Sequence, residues 1–276
     1  PGENILRPEP YFPLYGPDAT LVGGEAKYYP CLFDHEFIPQ VADLEALVDD
    51  RTVAILYNFP SNPTGGTLNE QQRDDLLAFA AKHDLWIISD EVYDRIVFET
   101  EHVSFMGTGY DKLMVVNSFS KTFAMTGWRI GYIVSTNLEA MKQVVKIQYY
   151  ISACSNDAMQ YAVLEAMEKA NDYPSMMATE FQKRCKLIVD RLNAMPGVQC
   201  HQPKGSIYVF PKVDVPGMSS EDVALELLKD GVLCSPGSAF GPSGEGHLRF
   251  AYTIGQDDIA RGMDKVEATL TRLQQG

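Results

Sequence analysis

Short apolar runs separated by polar, turn-rich segments set the rhythm of this chain. Residues 5–6, 19–22, 53–57, 86–89, 113–117 and 132–135 read as strands. Helical patterns fall between several of them. The clearest opens at Asn69, with Gln72 three residues later as a capping-box partner, and carries Leu76, Leu77, Ala80 and Ala81 inward. Residues 138–150 and 157–170 read as further helices, and a long pattern over 173–195 stops at Pro196-Gly197. Beyond it, 207–210, 232–234 and 247–251 read as strands, while 219–229 and 256–273 read as helices. Ser219 and Ser220 ahead of Glu221 and Asp222 make a good helix start. Strands alternating with helices predict an α/β fold. It has a mainly parallel sheet sandwiched by helices over 1–155, then connecting helices and a smaller α+β C-terminal domain over 156–276.

Three of the strands end in groups that carry chemistry. The run 113–116 leads into Ser118-Phe119-Ser120-Lys121, and Arg129 follows eight positions later in Met125-Thr126-Gly127-Trp128-Arg129-Ile130-Gly131-Tyr132. An amine held out of bulk water near other positive groups loses its proton readily and forms an imine with an aldehyde. Hydroxyls and an arginine fork beside it suit a phosphate. Alone, a lysine in a serine-rich loop is a solvated surface group, and Ser120 serves equally well as a structural serine. The run 85–89 ends in Asp90-Glu91-Val92-Tyr93. A carboxylate there can keep a pyridine nitrogen protonated, and Tyr93 can donate to a phenolic oxygen. The run 53–56 leads into Asn58-Phe59-Pro60-Ser61-Asn62-Pro63-Thr64-Gly65-Gly66, a loop by composition, with Asn62 fixed by the proline after it. Open α/β sheets bind ligands outside such carboxyl ends. Together these groups meet the needs of pyridoxal phosphate, which uses a lysine Schiff base and an acidic partner for its ring nitrogen.

At these residues the chain resembles the class I/II aminotransferases, the fold-type I pyridoxal-phosphate enzymes. The matching pieces are Asn62-Pro63-Thr64-Gly65, Ser89-Asp90-Glu91-Val92-Tyr93, the Ser118–Lys121 loop with Arg129, and Gly246-His247-Leu248-Arg249-Phe250. The resemblance implies that Lys121 carries the Schiff base and acts as general base and acid. It pairs Asp90 with the ring nitrogen and sets Asn62 and Tyr93 on the phenolic oxygen. It assigns Ser118 and Arg129, with Ser120, to the phosphate, and it gives Arg249 and Asn62 to the substrate, with Arg249 on its α-carboxylate. Phe12, in Pro10-Tyr11-Phe12, matches the aromatic residue that stacks on the ring. The phrase Phe123-Ala124-Met125-Thr126-Gly127-Trp128-Arg129 resembles the branch of prokaryotic-type aspartate and broad-range aminotransferases. The implied activity is transfer of an amino group from an L-amino acid to a 2-oxo acid, in a cytoplasmic homodimer. Aspartate with 2-oxoglutarate is the first expectation, followed by aromatic or alanine-type substrates. A C–S β-lyase shares the same constellation, and a non-catalytic aminotransferase-like domain or an inactive fragment is a further alternative.

Bulk composition narrows the partners. Twenty-three basic against 37 acidic residues give a net charge of −14, which disfavours nucleic acid and anionic membrane. The proposed ligands are themselves anions, so Lys121, Arg129 and Arg249 are expected to gather in a locally positive pocket. No apolar stretch approaches the roughly 20 residues that span a bilayer. Five cysteines, odd in number and without CxxC spacing, favour reduced thiols over disulfides or a metal site. The chain opens Pro1-Gly2-Glu3-Asn4, without the N-terminal segment that family members carry, and so reads as N-terminally incomplete.

Overall fold

A computed structural model describes residues 2–275. Its first half alternates strand and helix: β1 (Asn4–Glu9), α1 (Tyr15–Leu21), β2 (Glu25–Pro30), α2 (Val41–Leu47), β3 (Thr52–Asn58), α3 (Glu70–Lys82), β4 (Trp86–Asp90) and β5 (Leu113–Ser118). The short α4 (Phe119–Thr122) and β6 (Gly131–Val134) follow, then the helices α5 (Leu138–Ser152), α6 (Asp157–Lys169) and α7 (Tyr173–Asn193). The remainder comprises β7 (Val198–Gln199), β8 (Tyr208–Val209), β9 (Lys212–Val213), α8 (Ser220–Lys229), β10 (Ser235–Pro236), β11 (Leu248–Ala251) and α9 (Gln256–Gln275).

The main sheet runs β2-β1-β3-β4-β5-β6, with every neighbouring pair parallel except β5 and β6. Parallel neighbours deliver their carboxyl ends to one edge, and the register sets Asn58 beside Asp90 and Asp90 beside Val116. Chemistry at the ends of β3, β4 and β5 is therefore adjacent in space. One apolar core, including Leu6, Ile55, Tyr57, Leu76 and Ile87, lies around these strands. A second joins Tyr93, Ile96 and Phe98 to α7, α8, α9 and the C-terminal strands. Among the described residues, no helix is long and apolar enough to cross a membrane.

Local signals explain the helices. Asn69 caps α3, accepting from the backbone N–H of Gln72 while the Gln72 side chain accepts from that of Asn69. Ser219 and Asp222 repeat the arrangement at α8. In α3, Leu76, Phe79 and Ala80 are buried, but Ala81 is exposed, so Phe79 takes the inward place expected for Ala81.

Two predicted strands are not strands. Residues 19–22 end α1: only Ala19 packs inward, whereas Leu21 is 82% and Val22 71% exposed. Their apolar character reflects no buried strand. The real strand is β2, concealed by the mixed sequence Glu-Ala-Lys-Tyr-Tyr-Pro suited to a sheet edge. Residues 232–234 are irregular, with Val232 buried and Leu233 84% exposed, and pairing begins only at Ser235.

Candidate active site

The carboxyl ends of β3, β4 and β5 open into a cleft of about 290 Å³. Phe12, Asn62, Asp90, Tyr93, Ser118, Ser120, Lys121 and Arg129 all line it. Eight residues singled out along 118 positions of sequence thus share one hollow. Arg249 stands just behind the wall, its Nη1 donating to Asn62 Oδ1 at 2.9 Å and its Nη2 to Ser235 Oγ at 3.2 Å. A wider hollow of about 630 Å³ near Tyr11, Leu21 and Tyr28 is lined by no cation and by a single carboxylate, Glu25. Volume alone would favour that hollow, but convergent chemistry favours the smaller cleft.

The loop after β5 is organised by its serines. Ser118 caps α4, accepting from the backbone N–H of Ser120 at 3.0 Å and donating to Ile130 O at 3.1 Å. The two serine hydroxyls lie 2.9 Å apart. This cap starts the turn that carries Lys121 into the cleft, and Lys121 Nζ lies 5.7 Å from the centre of the Tyr93 ring. Arg129 has φ +54°, a left-handed conformation that a non-glycine residue adopts against steric preference. Its Nη1 donates to Thr126 O at 2.9 Å. Gly131 follows because a Cβ there would meet Asn117 O at 2.6 Å, so the chain can rejoin β5 closely only through glycine.

Asp90 is anchored from both sides. Tyr15 OH donates to Oδ2 at 2.5 Å, and the Val92 N–H donates to Oδ1 at 3.2 Å. Burial raises the Asp90 carboxyl above the usual carboxylate range, while those two donors pull it back down. A cation placed opposite it would lower it further. Asn58 Nδ2 donates to Asp90 O at 3.1 Å, and Asn58 Oδ1 accepts from the Asn62 N–H at 3.0 Å. One asparagine therefore ties the Asp90 strand end to the Asn62 loop. Burial also raises the Tyr93 phenol, reinforced by Tyr208, whose hydroxyl lies 3.3 Å from that of Tyr93.

Arg249 is sandwiched between Tyr208 and Phe240, with its guanidinium carbon 4.3 and 4.7 Å from the two ring centres. Its Nε is buried without a hydrogen-bond partner, and burial lowers its pKa. A planar fork held between two rings is presented edge-on, as bidentate recognition of a carboxylate requires. Tyr15, Asn58, Thr126 and Tyr208 also line the cleft, although no site role for them follows from the sequence reading. Asn58 alone carried a usable signal, since it ends a buried run as Asp90 does.

The lining holds two cations, Lys121 and Arg129, against one carboxylate, Asp90, with Arg249 adjacent. The cleft is thus locally positive within a chain of net charge −14. An amine, a half-buried carboxylate, paired hydroxyls and an arginine are the donor set that pyridoxal phosphate needs, so the residues fit that cofactor.

Comparison with known proteins agrees. The family model for aminotransferase class I and II matches residues 1–266. An aspartate aminotransferase from Pyrococcus abyssi is 36% identical over 275 residues, covering 98% of this chain and 70% of the relative. An aromatic-amino-acid aminotransferase from Thermococcus litoralis is 34% identical over 274 residues, covering 97% and 70%. The crystal structure of an aromatic aminotransferase from Pyrococcus horikoshii superposes with a TM-score of 0.93 at 35% identity, covering 98% of this chain and 74% of that one. With the family model spanning nearly the whole sequence, the chain belongs to the class I and II aminotransferases, enzymes that depend on pyridoxal phosphate.

Proposed function

We propose that this cleft transfers an amino group from an L-amino acid to a 2-oxo acid, with Lys121 as its central residue. The observation that carries the reading is the convergence of Lys121, Asp90 and Arg129 in one cleft with Arg249 against its wall. When bound, pyridoxal phosphate supplies a ring that takes up negative charge from the substrate α-carbon. The Asp90 carboxylate holds a proton at the ring nitrogen, and Tyr93 and Asn62 bind the phenolic oxygen. Ser118, Ser120 and Arg129 bind the phosphate, and Phe12 covers one face of the ring. The Lys121 amine takes the proton from the substrate α-carbon and returns it two atoms along, beyond the nitrogen, as general base and then acid. Arg249 binds the α-carboxylate.

Arg249 recognises the group common to every amino acid, so side-chain choice rests elsewhere. Aspartate with 2-oxoglutarate is the first pair to assay, because aspartate aminotransferases are among the relatives. Aromatic donors come next. Formation of glutamate from 2-oxoglutarate supports the reading. Release of pyruvate and ammonia from cystathionine without an oxo-acid acceptor contradicts it. Arg249→Lys is expected to raise KM for amino and oxo acids alike by about 10- to 100-fold, with a smaller change in kcat. A point-charge ammonium cannot replace the planar fork, and a charge-assisted pair is worth roughly 1.5–3 kcal/mol. Steady-state kinetics on both half-reactions check this.

We also propose a homodimer in the cytoplasm. All four residues of β6 are exposed, and α5 exposes Leu138, Val145, Ile147, Tyr149, Tyr150 and Ile151. An apolar surface of that extent is what an interface covers. Sedimentation at micromolar concentration should show a dimer, and a monomer alone would contradict the assembly. The odd number of scattered cysteines supports a reducing compartment, which cell fractionation checks.

A further inference from the structure

Arg7 sits in the middle of β1, is only 3% exposed, and has Nε and Nη1 buried without a hydrogen-bond partner. An arginine so placed is unfavourable unless a charge elsewhere compensates it. The groups within electrostatic reach are Tyr28, Asp18 and Tyr15. Tyr15 is itself 8% exposed, and its hydroxyl donates to Asp90 Oδ2 at 2.5 Å, across 75 residues of sequence. Tyr15 lines the cleft beside Asp90, and Arg7 is not among the residues that line it. The Arg7 charge favours a polarised Tyr15 hydroxyl, and that hydroxyl stabilises the ionised carboxylate.

We propose that Tyr15, backed by Arg7, is a positioning residue that holds the Asp90 carboxylate as an anion aimed into the cleft. The inference rests on the reading of Asp90 as partner of the ring nitrogen. Tyr15 and the Val92 N–H each bind one carboxylate oxygen, which fixes the plane of the group and leaves lone pairs free for the ring nitrogen. Arg7 supplies positive charge without entering the cleft, where a cation beside Asp90 would compete for the ring nitrogen's place. The titratable groups around Asp90 are Tyr15 on α1, Glu91 and Tyr93 on its own segment, Lys121 and Arg129 across the cleft, and Arg7 on β1. Glu91 acts against the anion, but its charge is occupied by Ser89 Oγ and His102 Nε2, each at 2.8 Å.

The test uses two variants of the holoenzyme, Tyr15→Phe and Arg7→Met. The readouts are the pH midpoint of the visible absorption of bound cofactor, the melting temperature, and kcat with KM. A less firmly held anion leaves less positive charge on the ring nitrogen, so the nitrogen joined to Lys121 keeps its proton to higher pH. Tyr15→Phe should therefore raise the midpoint and lower kcat about tenfold, the effect of one charge-assisted hydrogen bond, with KM changing less than about twofold. Arg7→Met should shift the midpoint in the same direction by a smaller amount. It should also melt at or above the wild-type temperature, because it removes a buried guanidinium whose Nε and Nη1 have no hydrogen-bond partner. A purely structural Arg7 would instead lower the melting temperature and leave the midpoint alone. If Tyr15→Phe does not fold, Arg7→Met carries the test: a raised midpoint supports the inference and an unchanged one overturns it. Wild-type protein that binds cofactor at Lys121, with both variants titrating as wild type does, overturns this inference only. Wild-type protein that forms no absorbing complex overturns the reading of the site on which it rests.

Discussion

Lys121→Ala is expected to lower kcat by at least about 10²- to 10⁴-fold, the range that one positioned general base or acid supplies. The larger end is favoured because, in the reading proposed above, this amine also makes the covalent link to the cofactor, so one truncation removes two functions. Nothing lining the cleft can substitute for it. The other cation there, Arg129, is a guanidinium directed toward Thr126 O. Fold stability should change little, because Lys121 is a half-buried residue near the end of a four-residue helix whose cap is made by Ser118 and Ser120. Single-turnover kinetics on cofactor-loaded protein separate the chemical step from cofactor loss. Added methylamine should restore part of the rate, since the missing group is an amine. A variant with wild-type turnover would remove Lys121 from the mechanism.

Asp90→Asn should be the second most damaging change, with kcat falling about 10²- to 10³-fold, the cost of removing a preorganised charge from a site where charge develops. The amide keeps the shape and one acceptor but cannot hold a ring nitrogen proton as an ion pair. Stability should move the other way. The folded-state carboxyl is raised by burial, so the folded protein binds more protons than the unfolded chain as pH climbs past the ordinary carboxylate range. Folding stability from this group is therefore lost as pH rises, and at neutral pH the ionised carboxylate is a liability. Asp90→Asn removes it, and in cofactor-free protein its melting temperature at pH 7 should equal or exceed that of the wild type. Calorimetry beside steady-state kinetics checks the pair of effects. A variant both unstable and inactive would indicate that Asp90 is needed for packing.

The legible parts of the site share a local origin. Lys121, Asp90 and Asn62 each lie just past a buried apolar run, and the parallel sheet brings such ends to one edge whatever the rest of the chain does. Arg249 was legible only through the resemblance carried by Gly246-His247-Leu248-Arg249-Phe250. What escaped was set by contacts distant in sequence. Tyr15 reaches Asp90 across 75 residues, and nothing in its own stretch of sequence marks that contact. Tyr208 and Phe240 enclose Arg249 from separate elements, and no periodicity marks that meeting. Arg7 is indistinguishable in sequence from an edge arginine, yet β1 is flanked by β2 and β3 and the side chain is buried. The fold erred in sequence for similar reasons. The apolar residues 19–22 belong to a helix end that leaves Leu21 and Val22 outside, and β2 lacks the apolar run that reveals the inner strands.

The central claim is that one amine, Lys121, holds pyridoxal phosphate. Mixing purified protein with the cofactor, reducing with borohydride and mapping the product by peptide mass spectrometry tests it most directly. The account predicts a single pyridoxyl group, on Lys121, lost when a 2-amino acid substrate is added before reduction. Labelling confined to another lysine, or scattered over surface lysines with Lys121 unmodified, would contradict it.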